Sequence, residues 1–238
     1  MLLSSNLISL AGFEKALGYW KMFLEGLVCT ISLSALTVIF GFILAMLLAL
    51  MRMSKITPIR LAASAYVEVF RATPLLVQLF IVYYVLLSGI SLPGFKLFGF
   101  IRFERMIPGV IALSLNSGAY LSEIIRSGIQ SIELGQTEAS RSLGMSKRQT
   151  MQYIVLPQAI KNILPAIANE FVTIIKESSI CWTIGVQEIM SVVQSVRGAT
   201  FKIAEPLIIA ACIYFCLTFP TSKIIEHFER KMSRGDKR

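Results

Sequence analysis

Four stretches of this 238-residue chain carry no charged side chain: residues 26–51, 72–95, 106–122 and 206–222. A helix needs about 20 apolar residues to cross a hydrocarbon core of about 30 Å. The first two stretches are long enough outright, and the other two qualify once a polar residue or two at each end is counted. A fifth stretch, residues 163–184, is equally apolar but encloses Glu170, Lys176 and Glu177. In lipid every backbone N–H and C=O needs an internal partner, which leaves helices or closed barrels. The period-2 alternation of barrel strands is absent, so the expected fold class is all-α, polytopic, with five transmembrane helices. Only 16% of residues are charged, against about 25% in a soluble domain. The apolar content in turn excludes a disordered chain.

The placement of the charges orients the spans. Lys and Arg outnumber Asp and Glu by 23 to 14, a formal net charge of +9. With the C-terminus in the cytoplasm, fifteen basic residues fall on the inner side and seven on the outer, while Lys176 lies within a span. The positive-inside rule therefore puts the N-terminus outside and the C-terminus inside. The basic balance reads as a topology label, and no nucleic-acid partner is expected. Residues 1–25 form an outer interfacial segment without the pattern of a secretory signal. Residues 26–225 form the transmembrane domain, including a cytoplasmic loop at about 127–162, and residues 226–238 form a basic cytoplasmic tail. Tyr19 and Trp20, set among charges, suit an interfacial helix over residues 12–25. A second helix outside the membrane is expected over residues 186–197, where Val186, Ile189, Met190, Val193 and Val196 share one face.

The cytoplasmic loop is long for a structureless connection, so it is expected to have structure and a task of its own. Residues 136–143 read as a short helix ending at Gly144. Ser146 and Gln149 then make a capping-box pattern for a second helix, expected to stop at Pro157. Glu138, Ala139 and Ser140 put one acid beside two small side chains, which lets a partner surface approach closely.

These residues carry a resemblance. Glu138-Ala139-Ser140, Gly144 and Ile154-Val155-Leu156-Pro157 reproduce the spacing EAA-x3-G-x9-I-x-L-P, with Ser140 in place of the second Ala. The segment is similar to the cytoplasmic coupling loop in membrane subunits of bacterial ATP-binding-cassette (ABC) importers. "YVEVFRATPLLVQLF" at residues 66–80, "LNSGAYLSEIIRSGI" at 115–129 and "NEFVTIIKESSI" at 169–180 resemble the polar amino-acid permease branch of that family. The resemblance spans about residues 19–226. It implies a type I importer fold in the bacterial cytoplasmic (inner) membrane and pairing with a second permease subunit, as homodimer or heterodimer. It also implies a cytosolic ABC ATPase dimer that holds ATP and Mg, and an extracytoplasmic amino-acid-binding protein. The coupling residues it marks are Glu138, Ala139, Ser140, Gly144, Ile154, Leu156 and Pro157.

The chain is not expected to be an enzyme or to hold a cofactor. It has neither a Gly-x-x-x-x-Gly-Lys-Ser/Thr sequence nor any Gly-Lys pair. Cys29, Cys181, Cys212 and Cys216 lack metal-ligand spacing, and His227 is the sole histidine. No catalytic or metal residue is assigned. Substrate is expected where charge enters the membrane, because a charge at a helix centre costs about 2.5–3.5 kcal/mol on insertion scales. Glu170 and Glu177 share a face, with Lys176 and Ser178 beside them; Asn116, Tyr120 and Glu123 form a second polar stripe. Together these seven are the candidate contacts for a zwitterionic amino acid, cationic or neutral. The reading that competes is internal pairing, with Lys176 to an acid and Glu123 to Arg126 near the cytoplasmic edge. Alternatives for the whole chain are an importer subunit for methionine or a quaternary ammonium osmolyte, or an ATP-independent secondary transporter.

Overall fold

The computed structural model describes residues 8–233. The chain is mostly helical and folds as two compact units, each gathered from three stretches of sequence. The first takes residues up to Val38, then Leu75–Leu113 and Thr173–Pro220; the second takes Ile39–Pro74, Ser114–Val172 and the residues from Thr221 onward.

Two helices precede the turn at residues 53–56. Helix α1 (Leu10–Leu17) is capped by Ser9, whose side chain accepts from Gly12 N. Helix α2 (Trp20–Arg52) follows after two residues. The interfacial helix expected over residues 12–25 is thus divided, and its second half is the start of α2. At 33 residues α2 is about 50 Å long, more than the hydrocarbon core requires.

Helix α3 (Thr57–Ala72) and the segment Leu75–Leu86, made of α4 (Leu75–Ile81) and a π-helical turn (Val82–Leu86), meet at 112°. The bend sits at Thr73-Pro74. Proline disfavours helical angles in the residue before it, and Thr73 is extended at φ −110°, ψ 145°. The uninterrupted span expected over residues 72–95 is corrected accordingly. Its helical part ends at Leu86, and beyond Gly89 (φ +79°) the chain leads to a hairpin of β1 (Lys96–Leu97) and β2 (Ile101–Arg102).

Helix α5 (Phe103–Gln130) and helix α8 (Leu156–Glu177), with its 3-10 continuation Ser178–Ile184, occupy the third and fourth expected spans. Helix α9 (Ile189–Thr200) is the helix expected over residues 186–197, displaced by three residues. Helix α10 (Ala204–Ser233) carries the last span and the start of the basic tail; residues 234–238 of that tail, like residues 1–7, lie outside the described residues. Among the described residues, α2 and α10 are each long and apolar enough to cross a membrane, and the bent α3–α4 pair passes the same measure only when its two helices are taken together. The polar and charged residues of α5 and α8 hold them below that measure.

Small side chains set the packing of both units. Phe23 of the first unit packs with Ala16, Ile189, Val192, Val193, Val196 and Ala210. In the second, Ala45 and Ala49 of α2 meet Leu121 and Ile125 of α5 and Ala159 and Ile163 of α8. Close approach through small residues is how helices associate where lipid removes the hydrophobic drive. Gly128 on α5 is one such position, since a Cβ there would run into Ile163 Cγ1. We expect Gly128→Ala to destabilise the detergent-solubilised protein by about 1–3 kcal/mol, the usual range for overpacking, read as a lowered midpoint of thermal unfolding. An unchanged midpoint would show that Ile163 can move aside.

Candidate functional site

The loop expected to be cytoplasmic folds as two short helices on a glycine corner. Helix α6 (Leu134–Ser142) ends in a Schellman arrangement: Met145 N donates to the Ser140 carbonyl at 3.2 Å and Gly144 N to the Arg141 carbonyl at 3.1 Å. Gly144 sits at φ +85°, a conformation side chains rarely adopt. Helix α7 (Lys147–Thr150) opens with the expected capping box, in which Gln149 N donates to Ser146 Oγ at 3.2 Å and Ser146 N donates to Gln149 Oε1 at 2.8 Å. Ser140 is buried, donates to the Thr137 carbonyl at 2.9 Å and meets Thr150 Oγ1 at 3.1 Å. That contact joins α6 to α7 through the position where the family pattern has Ala. Glu138 and Ala139 face outward. So do two apolar side chains at the ends of α6, Leu134 and Leu143, which are 77% and 85% exposed.

The expected stop at Pro157 is not observed. The chain passes from α7 through a π-helical turn (Met151–Val155) directly into α8, and Pro157 becomes the second residue of that helix. Leu156 N reaches back five residues to the Met151 carbonyl, and this wider turn opens the place where the proline ring would otherwise meet the preceding turn. Ile154 lies in the π turn and Leu156 begins α8, so the end of the motif runs without a break into that helix.

The polar residues within the spans divide between the two units. In the second unit, Asn116 is buried on α5 and its Nδ2 donates to the Phe70 carbonyl at 3.4 Å. Tyr120 is exposed, with the Arg71 guanidinium 5.6 Å from its ring centroid. Glu123 takes bonds from Arg126, 2.6 Å at Oε1, and from Arg52 at Oε2, while Arg71 stands 3.9 Å from Oε2. The Glu123–Arg126 pair expected from sequence is therefore present, joined by two further arginines. Glu170 is half-buried on α8.

In the first unit, Lys176 is exposed, Glu177 is half-buried, and Ser178 is fully buried with its hydroxyl donating to the Ile175 carbonyl at 2.8 Å. Lys176 lines a cavity of about 480 Å³ with Ser179, Ile180, Trp182, Met190, Leu207, Ala210, Ala211 and Tyr214. This is a volume suited to a small ligand. Glu177 and Ser178 are not in its lining. Ser179, Trp182 and Tyr214 were missed by sequence reasoning. Trp182 lies in the apolar fifth stretch beside the "KESSI" run, a signal for the first two, but nothing in the sequence ties Tyr214 to them.

The chain is similar to known proteins of one transport family. Residues 23–234 match the family described as the binding-protein-dependent transport system inner membrane component. The arginine transport system permease protein of Bacillus subtilis is 43% identical over 213 residues, covering 90% of this chain and 93% of that one. The putative glutamine transport system permease protein of Rickettsia conorii is 41% identical over 216 residues, 90% and 95% of the two chains. Among solved structures, an amino acid ABC transporter with histidines is 44% identical with a TM-score of 0.84, over 92% of this chain and 98% of that one. The methionine ABC transporter in inward-facing form shares the fold alone, at 16% identity and a TM-score of 0.71 over 90% and 98% of the two chains.

Proposed function

The chain belongs to the family of binding-protein-dependent transport system inner membrane components, and from that membership we propose that it is the translocating subunit of an ABC importer for a polar L-amino acid. Its relatives are named as permeases for arginine, glutamine and L-cystine. In this reading five helices cross the bacterial inner membrane, with the N-terminus outside and the cytoplasmic knob of α6 and α7 docked on a partner ATPase. The observation that carries it is the knob itself, with Glu138 and Ala139 facing outward between two exposed leucines and a Gly144 corner behind them. ATP and Mg belong to the ATPase, and this chain turns their free energy into alternating access through a loop continuous with α8. A second permease subunit and an extracytoplasmic binding protein complete the assembly.

For the solute, Lys176 at the 480 Å³ cavity supplies a cation for an α-carboxylate; Ser179, whose hydroxyl proton goes to the Lys176 carbonyl at 2.6 Å, offers its oxygen as an acceptor for the ammonium, and Trp182 an apolar wall. Asn116, Tyr120, Glu170, Glu177 and Ser178 belong to the translocation path in this reading. Glu123, its carboxylate already held by arginines, organises that path from one end. The test is uptake of labelled L-glutamine and L-arginine into proteoliposomes holding the full transporter, with methionine and glycine betaine as competitors. We expect ATP-dependent uptake of a polar amino acid, and a KM raised about tenfold or more in Lys176→Gln, the loss of one charge-assisted bond. Uptake without ATP would overturn the importer reading, and an unchanged KM would remove Lys176 from the path.

A further inference from the structure

Three arginines of the second unit converge on one carboxylate at helix ends. Arg52 is the last residue of α2, Arg71 is next to last in α3, and Arg126 lies in the last turns of α5. Arg126 donates from Nη2 to Glu123 Oε1 at 2.6 Å, from Nε to Oε2 at 3.4 Å and from Nη1 to Gln130 Oε1 at 2.8 Å, so its fork is occupied. Arg52 Nη1 donates to Glu123 Oε2, the same oxygen that Arg71 Nη1 approaches at 3.9 Å. Glu123 is thereby filled: two carboxylate oxygens serve three guanidinium groups.

What is left over is positive and partly buried. Three unit charges against one leave an excess of two. The side chain of Arg52 is only 10% exposed, and its Nε is buried without an acceptor. Charged groups withdrawn from water without a partner are strongly disfavoured. Helix C-termini favour cations, which offsets part of the excess, but their field brings no acceptor atom to Arg52 Nε. Arg71, 44% exposed and lying against the Tyr120 ring, keeps the open side of its fork available. In the orientation that the charge count favours, these helix ends face the cytoplasm, near the level of lipid phosphates. Basic pockets between membrane helices on that side recognise anionic headgroups.

We propose that Arg71, backed by the charges of Arg52 and Arg126, forms an oxyanion site at the cytoplasmic membrane edge, occupied by the phosphodiester of an anionic phospholipid, with Glu123 as its built-in counter-charge. The shared chemistry is a singly charged oxyanion facing a guanidinium fork, so a free carboxylate such as that of a passing solute is the competing source. The site goes beyond the transport reading and does not depend on which solute is carried.

The test uses the purified, delipidated full chain in neutral detergent. The thermal unfolding midpoint is followed while short-chain phosphatidylglycerol, short-chain phosphatidylcholine or acetate is titrated in. We expect half-maximal stabilisation by phosphatidylglycerol at about one-tenth the concentration needed for phosphatidylcholine, and none by acetate. Arg71→Gln should bring the ratio between the two lipids to about one, and Arg71→Lys, which keeps the charge but not the fork, should give an intermediate ratio. Arg60→Gln, an exposed arginine of α3 outside the cluster, should keep the wild-type ratio and reports on general charge loss. Equal stabilisation by acetate and phosphatidylglycerol would overturn the lipid assignment. A wild-type lipid preference in a folded Arg71→Gln protein would overturn the site.

Discussion

Leu143→Asp and Leu134→Asp will each reduce ATP-driven uptake at least a hundredfold while leaving the membrane domain folded. Both leucines stand out from the cytoplasmic knob, 85% and 77% exposed, so neither contributes much to the chain's own core. Apolar anchors of this kind concentrate binding energy when a partner encloses them, and truncating one costs about 2 kcal/mol or more. An aspartate in the same place adds the cost of withdrawing a charge from water, which carries the loss to about 3–5 kcal/mol, or roughly two to three and a half orders of magnitude in affinity. Gly144→Val should act by a different route, since φ +85° penalises a β-branched residue by about 1–2 kcal/mol or more and re-aims the corner between α6 and α7. Two measurements check this: co-purification of the tagged permease with its ATPase, and uptake in proteoliposomes. The leucine variants should lose both, with the thermal midpoint of the isolated permease unchanged. Retention of the ATPase by Leu143→Asp would mean that the knob docks elsewhere.

The knob was legible in the sequence because its determinants are local. Ser146 and Gln149 are three residues apart, Gly144 is the corner between them and α6, and each acts through backbone groups within one turn. Pro157 misled for the complementary reason. A proline ends a helix only if the preceding turn is α-helical, and a π turn at Met151–Val155 removes the conflict without a mark in the sequence. At Thr73-Pro74 the local rule held, because the residue before proline is itself the one that must leave the helical region. The arginine cluster could be read only in part. Glu123 and Arg126 are one turn apart and were paired by spacing, whereas Arg52 lies 71 residues from Glu123 and only the fold joins them. The same holds for the cavity, where Tyr214 of α10 faces Lys176 across a separation that no helical period spans.

Glu188 marks a second long-range dependence, and Glu188→Ala will destabilise the first unit by about 3–5 kcal/mol. Its side chain is fully buried at the N-terminus of α9. One oxygen accepts from Ser191 N at 2.8 Å, and the other accepts from Met190 N at 2.8 Å and from the Tyr214 hydroxyl at 3.0 Å. Loss of a helix cap costs about 1 kcal/mol, and each buried donor left without an acceptor adds about 1–3 kcal/mol. Burial pushes the carboxyl pKa up to about 7, against the opposing pull of those three hydrogen bonds, and the groups that face it are the thiols of Cys181 and Cys29 and the Tyr214 hydroxyl. A carboxyl whose folded pKa is raised is most stabilising while protonated. Its contribution is therefore full below the ordinary value of 4.5 and is lost as pH climbs to about 7. A shift of that size corresponds to about 3 kcal/mol at most. Thermal unfolding in detergent between pH 4.5 and 8 should show a midpoint that falls with rising pH in the wild type and a flatter profile in Glu188→Gln, whose side chain cannot ionise. A wild-type midpoint that rises with pH over this range would mean that the cap prefers its charged form, with the hydrogen bonds and the helix N-terminus outweighing burial.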